Sequence, residues 1–328
     1  MIRFIDFLVE AGCEKCHMNT NGKVNVGIDI GGTKINIGLI DEAGNIIENK
    51  VLPTQKSVSC IHQIDFICNE LNQLIESKGL LLSDINFIGA GIPGTVSYES
   101  GFVTYGPNIN WVNEPAGEYF EKCLGSRVVL CQDSYNAALA EFLLGAGQGL
   151  TNILCLTIGT GIGGGIILNK KLHFGSFGTA GEVGHMILHK NGRQCNCGKR
   201  GCFERYVSGT GLLEIARESL PDGQHLKSAK MVFEMARQKN EIALKIFNEW
   251  VDDFAVGIAN VVNVLSVEAV ILSGGLSENK DMYMEPLKER ILQHGYIGWA
   301  KHEGFKILHA QMGKNAPMIG ASLLYQVT

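Results

Sequence analysis

Two α/β domains facing each other across a cleft are what this chain should form. Three observations lead there. Strands alternate with helices along nearly its whole length. Two pairs of apolar strands, near residues 30 and 160, are each interrupted by a Gly-rich turn. Glycine is also in excess, at 41 of 328 residues, against a usual share of roughly 7%. The glycines fall beside apolar runs, so they mark tight turns and close backbone approaches, not disorder. With 45% apolar and 19% charged residues, the chain can bury a sizeable core, and its length suits two domains.

Residues 1–22 read as a short helix and polar linker ahead of the fold proper. From Val24 the chain runs VNVGIDI, the turn GGTK, INIGLI, the turn DEAGN and IIENKVL, a strand–turn–strand series. A helix is expected over about 61–78. The strand INFIGAGI ends at Pro93-Gly94, a helix covers 115–124, and the strand RVVLCQD leads into the helix SYNAALAEFLLGA. After Thr151 the opening pattern recurs as NILCLTI, GTGIGGG and IILNKKL, a weak internal repeat. A long helix over about 241–265 precedes the strand EAVILSGG, and a helix from Pro317 to Tyr325 closes the chain.

The net charge is −5 and no long Lys/Arg run occurs, which argues against nucleic acid as a partner, because phosphate neutralisation needs a basic face. The longest apolar-rich stretch, Phe254 to Leu272, is broken by Asn260, Asn263, Ser266 and Glu268, so no membrane span is expected. Asp6 and Glu10 interrupt the opening MIRFIDFLVEAG, and no signal-peptide cleavage site follows. A cytoplasmic location is therefore expected, and the ten cysteines suggest reduced thiols and metal rather than a disulfide framework.

The first Gly turn is Asp29-Ile30-Gly31-Gly32-Thr33-Lys34. Gly31 and Gly32 let backbone N–H groups approach a phosphate without a Cβ in the way. Thr33 adds a hydroxyl, Lys34 a positive charge, and Asp29 suits magnesium, directly or through water. The plain alternative is a Gly-containing hairpin with an exposed Lys. The second turn, Gly159-Thr160-Gly161-Ile162-Gly163-Gly164-Gly165, contains GxGxxG, but IILNKKL reads as a strand where a dinucleotide-binding fold needs a helix. It also lacks the GK[ST] end of a P-loop. Strand–Gly turn–strand, twice, resembles the phosphate clamp of the actin-like (ribonuclease H-like) ATPase superfamily. Ser273-Gly274-Gly275 suits an adenosine-facing turn in that fold, and a plain strand-end turn otherwise.

His185, Cys195, Cys197 and Cys202 are spaced H-x9-C-x-C-x4-C. Three thiolates and one imidazole within 18 residues suit a closed, tetrahedral, structural zinc site, and Gly192, Gly198 and Gly201 allow the chain to wrap tightly. Buried thiols near an unrelated His are the alternative, but Arg193, Gln194, Asn196, Lys199 and Arg200 make the stretch too polar for core. Cys13-x-x-Cys16-His17 matches the c-type haem attachment pattern by accident, because that attachment needs export. The expected division is an N-terminal extension (1–23), a small α/β domain (24–127 with 314–328) and a large α/β domain carrying the zinc loop (128–313).

The motifs DIGGTK, GIPGTV, PNINW, QDSYNAALAE, TIGTGIGGGI, GTAGEVGH and CNCGKRGCFE together resemble the ROK family (repressors, open reading frames, kinases), above all its glucokinase-like members. The likeness runs from about Val26 to Leu324. It implies an ATP- and Mg2+-dependent phosphorylation of a hexose at its 6-hydroxyl, and a homodimer. Asp133 falls where such kinases carry the general base, a carboxylate that takes the proton of a poorly nucleophilic sugar hydroxyl; its plain role is to cap the following helix. By the same resemblance Gly94, Thr95, Asn108, Gln132, Glu182, His185 and Glu204 contact the sugar. Asp29, Gly31, Gly32, Thr33, Lys34, Gly159, Thr160, Gly161, Gly274 and Gly275 serve the nucleotide. Glu182 and Glu204 flank the zinc loop, so the ion would fix their geometry.

Two departures stand out: the family's usual Asn before the catalytic Asp is Gln132, and Tyr135 replaces a small amide. Both bear on which sugar fits, and N-acetylmannosamine or N-acetylglucosamine remain alternatives to glucose. Two other classes compete with a kinase. A sugar-sensing regulator of the same family would carry a helix-turn-helix domain, for which the roughly 23 residues before the first strand are too few. A non-catalytic nucleotide-binding assembly protein would have no use for the zinc loop.

Overall fold

Residues of the first strand sort onto two faces with the two-residue period of extended chain. Val24, Val26, Ile28 and Ile30 enter an apolar core, while Asn25 meets Tyr325 and Gly27 meets Met318 on the other side. The computed structural model describes residues 24–221 and 223–326; the expected N-terminal helix and linker, with Cys13, Cys16 and His17, lie outside the described residues. The chain divides into two compact units.

The first unit contains β1 (Val24–Ile30), β2 (Lys34–Asp41), β3 (Ile46–Pro53), α1 (Cys60–Ser77), β4 (Ile85–Ile92), β5 (Thr95–Val96), β6 (Val103–Gly106), β7 (Trp111–Glu114), α2 (Ala116–Leu124), β8 (Val129–Gln132) and the first turns of α3 (Asp133–Leu144). Its main sheet has the order β3-β2-β1-β4-β8. The β1–β2–β3 pairs are antiparallel, and β4 and β8 join in parallel. Helix α1 buries Cys60, Ile64, Ile67, Cys68, Leu71, Leu74 and Ile75, a stripe at helical spacing. Each such side chain contributes about 1.5–3 kcal/mol by leaving water, so Leu71→Ala would open the centre of this layer.

The second unit begins at Glu141. It holds β9 (Ile153–Ile158), β10 (Ile162–Leu168), β11 (Lys171–Leu172), α4 (Glu204–Val207), α5 (Gly209–Ser219), α6 (Ala229–Arg237), α7 (Glu241–Leu265), β12 (Ala269–Ser273), α8 (Lys280–His294), α9 (Ile297–Ala300) and β13 (Lys306–His309). Its sheet order is β11-β10-β9-β12-β13, with β9–β10–β11 antiparallel and β12 and β13 parallel. The weak sequence repeat is thus a repeated topology: a three-stranded meander followed by two parallel strands, in each unit. Helix α7 is apolar on several sides because Phe233, Phe247, Phe254 and Tyr283 crowd Trp250, whose indole N–H donates to the Val207 carbonyl at 2.8 Å.

Helix α10 (Ala316–Ser322) returns to the first unit. A Cβ on Gly27 would sit 1.9 Å from the Met318 carbonyl oxygen, and one on Gly89 2.0 Å from that of Ala321. Glycine at these two strand positions is what lets the helix lie directly on the sheet.

Two expectations need correction. The segment 128–140, assigned to the large domain, belongs to the first unit, because β8 extends the first sheet in register from Gly89↔Val129 to Ile92↔Gln132. Phe174–Thr179 also groups there: Phe174 stacks on Tyr98 and edges onto Tyr135, whose hydroxyl donates to the Gly178 carbonyl. The second Gly turn is also shorter than expected. Only Gly159, Thr160 and Gly161 turn, and Gly163–Gly165 lie within β10, where a Cβ on Gly164 would meet the Gly181 carbonyl at 2.5 Å. Among the described residues no helix is long and apolar enough to cross a membrane.

Candidate functional site

In the first unit, the turn between β1 and β2 is closed by the Gly31 N–H donating to Lys34 O at 2.9 Å, and the Thr54 hydroxyl ties Gly31 O from outside at 2.6 Å. Gly32 packs against the Asn108 backbone, where a Cβ would come within 2.9 Å of its carbonyl oxygen. The phosphate-type turn and the PNINW segment are therefore neighbours, with Thr33, Lys34 and Asn108 exposed. Asp29 stands at the end of β1. Burial pushes its carboxyl up to about 6, and the positive charge of Lys34 offsets part of that rise. A carboxyl so placed is a fitting partner for a divalent cation, which would restore its charged form.

Gly94 sits against the β6 backbone, where a Cβ would lie 2.2 Å from Tyr105 O, and Thr95 opens β5. Gln132 ends β8 and Asp133 starts α3. The Asp133 carboxylate accepts the Ser134 N–H at 2.7 Å. That bond goes to the next residue within the first turn of α3, and a strand end leading into a helix N-terminus is where α/β sheets present polar groups to ligands.

In the second unit, β9 delivers Gly159-Thr160-Gly161 and β12 delivers Ser273-Gly274-Gly275. The two ends are stitched together: Leu276 N–H donates to Ile158 O at 3.2 Å, and Gly209 N–H donates to Gly159 O at 2.8 Å. Gly159, Thr160 and Gly275 line a cavity of about 500 Å³, with Thr210, Ser228 and Lys230 among the other walls. Thr210 lies in the first turn of α5, which Ser208 caps by accepting the Gly211 N–H at 3.1 Å. Sequence reading missed this α5–α6 wall. Its residues are dispersed over 209–230; Gly209-Thr210-Gly211, which repeats the tripeptide of 159–161, was the one local signal, and only the packing of α5 and α6 brings the wall to the glycine turns.

The Cys/His cluster forms on a tight hairpin. Gln194 bridges Arg200 and Ile187 bridges Cys202, while Cys195 N–H donates to Lys199 O at 2.8 Å and Gly201 N–H to Arg193 O at 2.8 Å. One ligand atom from each of His185, Cys195, Cys197 and Cys202 lies within 4.8 Å of all the others; the Cys197 and Cys202 sulfurs are 3.6 Å apart and Cys195 Sγ is 3.8 Å from His185 Nδ1. Tetrahedral zinc with Zn–S near 2.3 Å sets sulfurs about 3.8 Å apart, so the donor set fits that ion. Burial pushes the Cys195 and Cys202 thiols up. Cys197 is drawn down in spite of partial desolvation, chiefly by the Lys199 N–H and the two neighbouring thiols.

Glu182 immediately precedes the short turn Val183–His185, its carboxylate 3.8 Å from His185 Nε2. Glu204 begins α4 directly after buried Cys202 and Phe203. Its Oε1 lies 3.1 Å from Cys195 Sγ and 3.8 Å from His185 Nδ1, and its Oε2 reaches the phosphate-type turn, 2.8 Å from where a Cβ on Gly161 would stand. Three motifs far apart in sequence, the Gly turn, the Cys/His hairpin and the GCFE carboxylate, meet at this one side chain. The last residue of QDSYNAALAE has a structural explanation: the carboxylate of Glu141, fully buried, accepts N–H groups of Ala146, Gln311 and Met312.

The chain is similar to known proteins over most of its length. Glucokinase of Streptomyces coelicolor is 32% identical over 317 residues, covering 91% of this chain and 96% of that protein. N-acetyl-D-glucosamine kinase of Haemophilus influenzae is 30% identical, covering 91% and 98%. Among solved structures, a ROK family glucokinase from Streptomyces griseus in complex with glucose and AMPPNP superposes with a TM-score of 0.77 at 32% identity, over 92% of this chain and 98% of that one. The fold is that of the actin-like ATPases. With the ROK family model matching residues 25–327, the chain belongs to the ROK family.

Proposed function

We propose that this chain is an ATP-dependent sugar kinase that phosphorylates a hexose at its 6-hydroxyl. The observation that carries the reading is Glu204, which touches the Gly159–Gly161 turn with one oxygen and the Cys/His cluster with the other. A carboxylate braced by a metal-type hairpin beside a phosphate-type turn is an arrangement for holding a polyol next to a nucleotide. The relatives named glucokinase and the complex with glucose and AMPPNP support the same reading.

In this mechanism Asp133 accepts the proton of the attacking hydroxyl as the γ-phosphoryl group transfers. Glu182, Glu204 and His185, with Asn108, Gln132, Gly94 and Thr95, hold the remaining hydroxyls and orient the reacting one. Backbone N–H groups of Gly32, Thr33, Thr160 and Gly161 and the Lys34 ammonium bind the phosphates, while the Gly31 and Gly159 N–H groups close their own turns onto Lys34 O and Gly161 O, and Gly274 and Gly275 face the nucleoside. Magnesium, held by Asp29 through water, would neutralise phosphate charge; zinc on His185, Cys195, Cys197 and Cys202 would serve as a structural brace with no open position.

A second reading, an N-acetylhexosamine kinase, is favoured by Gln132, one methylene longer than the family's Asn, and by the relative that is an N-acetyl-D-glucosamine kinase. An ADP-release assay with glucose, mannose, fructose, N-acetylmannosamine and N-acetylglucosamine separates the two. The expected result is turnover with at least one sugar, reduced about 10²–10⁴-fold in Asp133→Asn with sugar and ATP binding kept. Sugar-dependent DNA binding without ADP release would replace the kinase with a regulator, and undiminished turnover in Asp133→Asn would remove the base.

A further inference from the structure

Helix α5 starts on the phosphate-type turn of the second unit. The Gly209 N–H donates to Gly159 O at 2.8 Å, which holds the helix N-terminus against that turn. Along the helix Gly211, Leu212 and Ala216 are buried, while Thr210, Leu213, Glu214 and Arg217 line the cavity of about 500 Å³. Those four positions share one face at helical spacing. With a rise of about 1.5 Å per residue, Glu214 stands about 6 Å beyond Thr210, and Arg217 about 10 Å beyond it. The cavity wall is thus graded in steps measured from the glycine turn.

Glu214 carries the one carboxylate among the residues that line this cavity. Arg205, whose side chain is 12% exposed, donates to Glu214 Oε2; Oε1 has no hydrogen-bond partner among the described residues. A negative oxygen repels phosphate and accepts from neutral O–H or N–H donors. In a nucleotide whose phosphates lie on the Gly159–Gly161 turn and at the α5 N-terminus, the ribose comes next and the base last. One helical turn beyond Thr210 is the level of the ribose, whose two hydroxyls are donors that an anionic oxygen accepts strongly. The base level falls to Arg217. Its Nε and one Nη donate to Leu226 O at 3.1 and 2.6 Å, which fixes the plane of its guanidinium, a group that stacks on flat rings.

We propose that Glu214 selects the sugar of the nucleotide: its free carboxylate oxygen accepts a hydrogen bond from a ribose hydroxyl, so that the protein requires a ribonucleoside triphosphate. The inference rests on the reading of the Gly159–Gly161 turn as a nucleotide-phosphate site. A site built around a hydroxyl rejects the analogue that lacks it, because the acceptor is then covered and left unanswered.

The test compares ATP with 2′-deoxy-ATP and 3′-deoxy-ATP, measured as sugar phosphate formed at a saturating concentration of the best sugar of the panel. Wild type should use at least one deoxy analogue with kcat/KM lowered about tenfold or more, the worth of a charge-assisted hydrogen bond. Glu214→Gln keeps an oxygen for Arg205 and removes the charge; its ratio should shrink to about threefold, the worth of a neutral hydrogen bond. In Glu214→Ala the ratio should vanish, chiefly through weaker use of ATP. A merely structural role lowers the use of each nucleotide alike and leaves the ratio where it was. Should Glu214→Ala not fold, Glu214→Gln carries the comparison. Equal use of ATP and both analogues by wild type, or an undiminished ratio in a folded variant, overturns the role of Glu214 and leaves the kinase reading standing. Absence of ATP-dependent phosphorylation with every sugar of the panel removes that reading and this inference with it.

Discussion

Glu204 and Cys195 touch, carboxylate oxygen to sulfur at 3.1 Å, and the same carboxylate borders Gly161 with its second oxygen. The contact makes the orientation of Glu204 depend on the hairpin that carries Cys195. Glu204→Gln keeps the shape and removes the charge. It should raise the sugar KM at least about tenfold, the worth of one lost charge-assisted hydrogen bond, and leave zinc content unchanged by atomic absorption. Loss of zinc in this variant would recast Glu204 as part of the metal site.

Purified protein should carry about one zinc per chain, since four donors within 4.8 Å of one another are close enough to fill a tetrahedral zinc shell. Cys197→Ser should lose it, lower Tm, and raise the sugar KM more than that for ATP, because the hairpin braces Glu182 and Glu204 rather than the α5–α6 wall. A metal-free chain with unchanged Tm and unchanged sugar KM would refute the brace.

Two glycines should behave oppositely. A Cβ on Gly27 would meet the Met318 carbonyl at 1.9 Å, so Gly27→Ala should destabilise by at least about 1–3 kcal/mol, the usual cost of overpacking. Gly275 has no atom within 4 Å of its would-be Cβ and lines the cavity beside Thr160. Gly275→Ala should leave Tm within about 1 °C and raise the ATP KM. An equal fall in Tm for both variants, read by calorimetry, would contradict the distinction.

Glu268 supplies a pH test remote from the site. Its carboxylate accepts the N–H groups of Asn152 and Thr151, at 2.8 and 2.5 Å, and these hold it below the ordinary carboxylate range. A carboxyl whose folded-state pKa is depressed contributes stability above its unfolded value, here 4.5, and that contribution fades as pH falls through the folded-state value. Glu268→Gln should therefore lower Tm by about 2–4 °C at pH 7, and the gap to wild type should close progressively below pH 4.5. A gap that stays constant down to pH 3 would mean that shape, not charge, ties the starts of β9 and β12 together.

Local chemistry made much of this protein readable before any coordinates. Strand periodicity exposed β1, β2, β9 and β10. A helix-breaking strand after Gly161 excluded a dinucleotide fold. The spacing of one His and three Cys announced a hairpin on which four donor atoms converge, since four donors on 18 residues can meet without help from distant parts of the chain. What depends on long-range packing was not readable. The assignment of 128–140 turned on β8 pairing with β4, a choice made by a partner strand almost 40 residues earlier. The glycines of β10 looked like turn because nothing local shows that the Gly181 backbone must lie against them. The contact of Glu204 with both Cys195 and Gly161 and the cavity wall from α5 and α6 arise only when separate elements pack, because a side chain's neighbours across the fold are set by which surfaces the hydrophobic core brings together.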